Sequence, residues 1–285
     1  MTSEKLPSET RMGYVHLTVS DLGRAIDFYR QSIGLHLIGR DAGEVSLGTG
    51  QRELLRLTEA PGASRVPGRT RLYHFALLVP SRQALGNVLR NLMATQTKIS
   101  GGADHLVSEA LYLDDPDGNG IEIYRDRPRE EWKMRHGRPQ MDTLPLDFEG
   151  ILAGAGGSEN AWNKLPADSV LGHMHLHVAQ LEQAANFYKE VIGFDLQAQL
   201  GRSAAFLSAG GYHHHLGINT WAGEGAPPPP EGAVGLRYFS VELPEKAALK
   251  QLIGQLQRAQ VSYESSADGF YVRDPSQNKM LFVQP

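Results

Sequence analysis

The chain has 285 residues, enough for two domains of ordinary size, and its 41% hydrophobic and 21% charged content suits a packed core rather than long disorder. A formal net charge of −4 argues against nucleic acid or an anionic membrane as the main partner, and the absence of cysteine excludes disulfides, thiolate metal sites and cysteine nucleophiles. No stretch approaches the roughly 18 apolar residues of a membrane span, and the first residues, MTSEKLPSETRMGY, lack the apolar run of a signal peptide. The expectation is a soluble, cytoplasmic protein.

The first ordered pattern, GYVHLTVSDLGRAIDFYRQSIGLHL from Gly13, returns without gaps as GHMHLHVAQLEQAANFYKEVIGFDL from Gly172. Matched pairs include His16/His175, Ala25/Ala184, Phe28/Phe187, Tyr29/Tyr188 and Gly34/Gly193. Each copy opens with alternating apolar residues (Val15, Leu17, Val19; Met174, Leu176, Val178), the signature of a half-buried strand. A helix with apolar residues three and four apart follows, ended by a glycine where a left-handed residue is wanted. Short strands come next, over 36–40, 45–49 and 53–58 in the first copy and 195–200, 203–208 and 214–219 in the second.

The same βαβββ order recurs after each copy. Residues 71–79 read as a strand, 81–95 as a helix, and 110–114 and 120–124 as strands; the last quarter repeats this with 235–243, 245–259, 268–273 and 279–283. Four modules result, at about 12–60, 70–126, 171–222 and 234–285. The expected fold is α+β, with modules paired into two domains whose curled mixed sheets enclose clefts. Along the chain the halves are 1–126 and 171–285, joined by a polar, Gly-rich linker over 127–170. The segment GEGAPPPPEG, 223–232, should be an extended surface loop.

Module two ends in GADHLVSEALYLDDPDGNGIE, residues 102–122. Asp115-Pro116-Asp117-Gly118 is turn chemistry, with Tyr112 on the strand before it and Glu122 on the strand after. Taken alone this is a hairpin with a glutamate on it. The spacing of His105, Leu111-Tyr112, Asp115-Pro116, Gly118 and Glu122 resembles the fingerprint of type I extradiol ring-cleaving dioxygenases, with one departure at Ala103. These belong to the vicinal oxygen chelate superfamily, the glyoxalase, bleomycin resistance protein and dioxygenase group, built from paired βαβββ modules. The architecture covers nearly the whole chain, the fingerprint about 20 residues.

That resemblance implies a site of two histidines and one carboxylate, which leaves one face of a metal open for a diol and O₂. By it, Glu122 is the carboxylate ligand and His74 one histidine ligand, while Tyr112 and His105 look like groups that hold the bound diol and the oxygen intermediate. The third ligand should come from the first strand of a neighbouring module, and the repeat offers His16 in module one and His175 in module three. Module three also carries His214 in AAFLSAGGYHHHLGI, which resembles the strand pair bearing the family's general base. Modules two and three together supply ligands and base alike, so that pairing, with His175, is preferred over modules one and two with His16. Module four has Tyr238 and Leu281 where module two has His74 and Glu122, so modules three and four cannot make the site. His173 and His177 share the face of His175 and read as neighbours of the ligands or as polar cleft residues. In a strand only His214, or His213 with His215, can face the cleft.

The expected function is an Fe(II)-dependent extradiol-type dioxygenase, with Mn(II) compatible with the same donors, acting on a catechol or hydroquinone with O₂. His214 is the expected general base. No nucleic-acid or membrane partner is expected, and self-association is left open. Two other readings stand beside it: a glyoxalase-type isomerase, which uses four protein ligands where this chain has Leu55 and no clear second glutamate, and a non-catalytic aromatic- or drug-binding protein, which would normally lack the ligand triad.

Overall fold

A computed structural model of the chain describes residues 4–41, 43–156 and 164–285, so residues 157–163 of the expected linker lie outside the described residues. The fold is α+β, and the four modules combine crosswise into two sheets. An eight-stranded sheet holds modules one and four, joined where Arg11–Val19 runs antiparallel to Gly235–Glu242. A nine-stranded sheet holds modules two and three, joined where Arg71–Leu78 runs antiparallel to Val170–His177. The halves 1–126 and 171–285 are units of sequence repetition, and each contributes one module to each sheet.

The physical reason lies in the seam strands. Leu17, Phe75, Met174 and Phe239 are fully buried on one face of these strands, and one continuous apolar core runs through all four modules. Burying each such side chain contributes about 1.5–3 kcal/mol. The opposite faces of the same strands carry His16, His74, His173 and His175. A sheet edge left open at the seam would expose unpaired backbone groups, and the antiparallel partner strand satisfies them.

Several elements differ from expectation. Both first helices open into a wider turn over their last residues, Tyr29–Ile33 and Phe187–Ile192, before Gly34 and Gly193 end them at φ 84° and 102°. The widened turn lets the Tyr29 hydroxyl donate to Asp115 Oδ2 at 2.8 Å, and Tyr188 repeats this with Asp274 at 2.9 Å. Asp115 also accepts from the backbone of Asp117 and Asn119, so the Asp-Pro-Asp-Gly turn of module two is tethered to the helix of module one. The strand Ile99–Asp104 has weak apolar alternation and was not anticipated. The linker supplies a short edge strand, Leu144–Pro145, and a helix, Phe148–Ala153. The strand expected over 214–219 begins only at Leu216, because Gly210 and Gly211, at φ 61° and 66°, turn the chain before it. No described helix is long and apolar enough to cross a membrane.

Candidate metal centre

The centre lies across the seam of the nine-stranded sheet. Glu122 stands level with Ala76 in the parallel pairing, and Ala76 stands level with His173 in the antiparallel one. Glu122 and His173 therefore occupy one row across three strands. His74 and His175 form the next row. His74 Nε2 and His173 Nε2 lie 3.0 and 3.1 Å from the same oxygen, Glu122 Oε2. All three side chains are buried, and their donor atoms form the group among the described residues that could hold a metal ion.

Two polar atoms there lack partners. His74 Nε2 makes no hydrogen bond despite its closeness to Glu122, and His173 Nδ1 is buried without one. A nitrogen near a carboxylate oxygen but not aimed at it is the arrangement that a shared cation accounts for. Burial works to raise the Glu122 pKa, but His173 and His74 outweigh it and hold the carboxyl well below its ordinary range. Burial lowers the His173 pKa against the opposing pull of Glu122. A carboxylate and two neutral imidazoles are the states in which these groups ligate metals.

His175, the expected third ligand, is engaged elsewhere. Its Nε2 accepts from Asn219 Nδ2 at 3.0 Å, while Asn219 Oδ1 accepts from His177 Nδ1 at 2.7 Å. Its ring sits against Gly217, where an added Cβ would come within 2.9 Å of His175 Cγ. The histidine that the structure groups with His74 and Glu122 is His173, because it shares the row that Glu122 occupies. His175, matched to His16 by repeat position, lies on the same strand and face as His173, one row away from Glu122. His16, the other candidate, lies on the eight-stranded sheet, with Nε2 at 2.7 Å from Thr58 Oγ1.

The remaining expected residues gather at this centre. His105 Nδ1 donates to the Asp142 carbonyl at 2.8 Å, which leaves Nε2 to accept from the Tyr112 hydroxyl at 2.7 Å. Tyr112 stands directly across from Glu122, and burial together with that charge raises its pKa well above the ordinary value, so it stays neutral. His214 lies in the loop before Leu216–Asn219, its ring 4.1 Å from that of His173. The three adjacent histidines do not alternate as in a strand. His213 Nδ1 and His214 Nδ1 are 2.8 Å apart, and His213 Nε2 lies 2.9 Å from Asp126 Oδ1. The Asp126 carboxylate accepts from His213 Nε2, and the tautomer with its proton there accepts through Nδ1. His214 then carries its proton on Nδ1 and leaves Nε2 free to accept another. Tyr212 fixes the far end by donating to Asp126 Oδ2 at 2.9 Å. Asp126, Tyr212 and Asn219 carry no motif of their own, and only the register brings them here.

A cleft of about 370 Å³ opens onto the centre, lined by His74, Glu122, Tyr112, His175 and His214 with apolar walls from Phe206 and Trp221. Among the described residues, no lysine or arginine lines it. Tyr73 stands at its mouth, its ring about 5 Å from those of His74, His175 and Trp221.

The buried histidines make acid stability testable. Burial, with Arg237 and Arg56 nearby, pushes the His16 pKa from 6.5 to about 3, and burial with His213 and His173 does the same for His215. A depressed folded value contributes stability that is present above the unfolded pKa and lost as pH falls from about 6.5 toward 3. Each should cost on the order of 1–2 kcal/mol between pH 7.5 and pH 5. Denaturant unfolding at the two pH values measures this, and equal stability at both would contradict it.

The Glyoxalase/Bleomycin resistance protein/Dioxygenase superfamily model matches residues 11–123 and again 170–282. The chain is 45% identical over 280 residues to a catechol-2,3-dioxygenase of Bacillus subtilis (strain 168), covering 96% of each chain. It is 26% identical over 221 residues to a biphenyl-2,3-diol 1,2-dioxygenase of Pseudomonas sp. (strain KKS102), covering 73% of this chain and 67% of that one. Among solved structures, glyoxalase I of Zea mays superposes with a TM-score of 0.59 at 16% identity, covering 97% of this chain and 92% of that one, which is a likeness of fold.

Proposed function

The chain belongs to the glyoxalase/bleomycin resistance protein/dioxygenase superfamily, and on that premise we propose that it is an Fe(II)-dependent extradiol ring-cleaving dioxygenase acting on a catechol. The observation that carries the reading is the buried group of His74, Glu122 and His173, with two unpartnered imidazole nitrogens, at a cleft lined by His74, Glu122, His214 and Tyr112. A ferrous ion held there would supply open positions for the two diol oxygens and for O₂. One carboxylate and two histidines leave those positions free, whereas a glyoxalase-type isomerase calls for a fourth protein ligand.

The protein's own groups do the rest. The apolar walls and Tyr73 exclude water and sandwich a flat ring. No described lysine or arginine lines the cleft, so the charge there would come from the metal and Glu122. His214 Nε2 takes a proton from a diol hydroxyl as the substrate becomes anionic, and the new imidazolium is stabilised through His213 by the Asp126 carboxylate. Tyr112, backed by His105, presents a hydroxyl beside the same ligands.

Anaerobic reconstitution with Fe(II), followed by catechol and air, should give stoichiometric O₂ uptake and a ring-opened, strongly absorbing product. Hydroquinone, offered in parallel, should be consumed far more slowly. Absence of O₂ uptake with every diol, in protein shown to carry iron, would overturn the proposal.

A further inference from the structure

The eight-stranded sheet has a cleft at the matching place, and it is built for different chemistry. His16 faces Tyr238 across its seam as His175 faces His74 across the other. Leu281 stands level with Ser240 where Glu122 stands level with Ala76. The metal-binding set is gone, yet a cavity of about 940 Å³ remains.

Its lining is cationic and aromatic. Arg56, Arg71, Arg237, Arg273 and Lys279 border it, against Glu44 and Glu231. Arg56 is held by Glu53 and Lys279 by Glu264, each at 2.8 Å. Arg71, Arg237 and Arg273 have no carboxylate within ion-pair distance among the described residues. Arg71 and Arg273 donate only to the carbonyls of Ala233 and Gln277, each at 3.3 Å. Burial, with the charge of Arg273 nearby, pushes the Arg71 pKa down to about 10. Arg71 also sits at φ 120°, a conformation that costs a non-glycine residue free energy and points to a role beyond packing. Between these cations stand the rings of Tyr238 and Tyr271, 5.1 Å apart and edge to face. The ring of His16 packs 4.9 Å from Tyr238, and its buried Nδ1 has no partner.

Guanidinium forks pair with carboxylates in bidentate fashion, and tyrosine rings take a flat apolar body. We propose that this cleft binds an aromatic or conjugated carboxylate, as a second small-molecule site distinct from the metal centre. The two clefts differ in their side chains: no described lysine or arginine lines the metal cleft, whereas the other has three arginines outside any ion pair. Ring cleavage beside a diol converts a neutral substrate into a carboxylate, so the ligand class includes such a product. That link rests on the function proposed above, whereas the site itself does not.

Titration calorimetry of the full-length, metal-loaded protein with sodium benzoate tests the site, with neutral benzamide and inorganic sulfate as comparisons. One benzoate should bind per chain, with benzamide and sulfate each at least about tenfold weaker. Arg237 and Arg273 are exposed, so Arg237→Ala and Arg273→Ala, made separately, should fold and each weaken benzoate about tenfold or more. Glu122→Gln should leave the benzoate affinity unchanged. Absence of saturable binding, equal binding of benzamide or sulfate, indifference to both arginine variants, or loss in Glu122→Gln would each overturn the proposal. The last of these outcomes leaves the ring-cleavage reading intact, so the two proposals fail separately.

Discussion

Replacing His173 by alanine should strip the metal and lower ring cleavage at least about 10³-fold, while His175→Ala should keep the metal. The expectation rests on the row that Glu122 shares with His173 and on the 3.1 Å between their atoms. Removing one of three protein ligands leaves a site with two, and affinity is expected to fall further than the roughly 10- to 100-fold seen when only an outer partner of a ligand is lost. His175 bonds to Asn219 and shapes the cleft wall, so its loss should act on substrate affinity and raise KM more than it reduces bound iron. Metal content after gel filtration and steady-state kinetics on both variants decide the matter. Retention of iron by His173→Ala with its loss from His175→Ala would reverse the assignment. Glu122→Gln should match His173→Ala, since an amide cannot supply the negative charge that both imidazoles face.

His214→Ala should retain iron and lose about 10²- to 10⁴-fold in kcat, the range for a general base. The Asp126–His213–His214 chain predicts a graded companion. Asp126→Asn keeps the shape but no longer requires the proton on His213 Nε2, so the tautomer that frees His214 Nε2 is no longer enforced. Its kcat should fall less than that of His214→Ala, and the acid limb of its pH profile should shift to lower pH, because the carboxylate that favours the imidazolium is gone. Kinetics between pH 6 and 9, with iron quantified in each sample, separate a proton-transfer defect from lost metal. An unchanged profile in Asp126→Asn would remove Asp126 from the chain.

The sequence made the modules, the repeat and half of this centre readable. The spacing from His105 through Glu122 picked out one member of the buried group and two residues beside it, and the alternation of Val15, Leu17 and Val19 picked out a seam strand. The choice of module three over module one rested on His214, a residue whose strand assignment was itself incorrect. Its position survives because the loop after Gly211 still delivers it to the cleft. What could not be read was register. His173 and His175 have the same period and face, and only the pairing of Val170–His177 with Arg71–Leu78 decides which one meets Glu122. Asp126 and Asn219 were invisible for the same reason, being ordinary polar residues until a neighbouring strand is laid beside them.

The nesting of modules also sets an order in time. Every strand of the nine-stranded sheet lies between Arg71 and Asn219, so the entire metal cleft has left the ribosome while module four is still being made. Module one is made first and completes its sheet last: Arg11–Val19 must wait for Gly235–Glu242, more than two hundred residues later. Closing so long a loop slows formation of that pairing far more than it weakens the finished structure. Until then the newly made chain carries the seam edge of Arg11–Val19 unpaired, and this edge, rather than the cleft, is its exposed point for aggregation during synthesis.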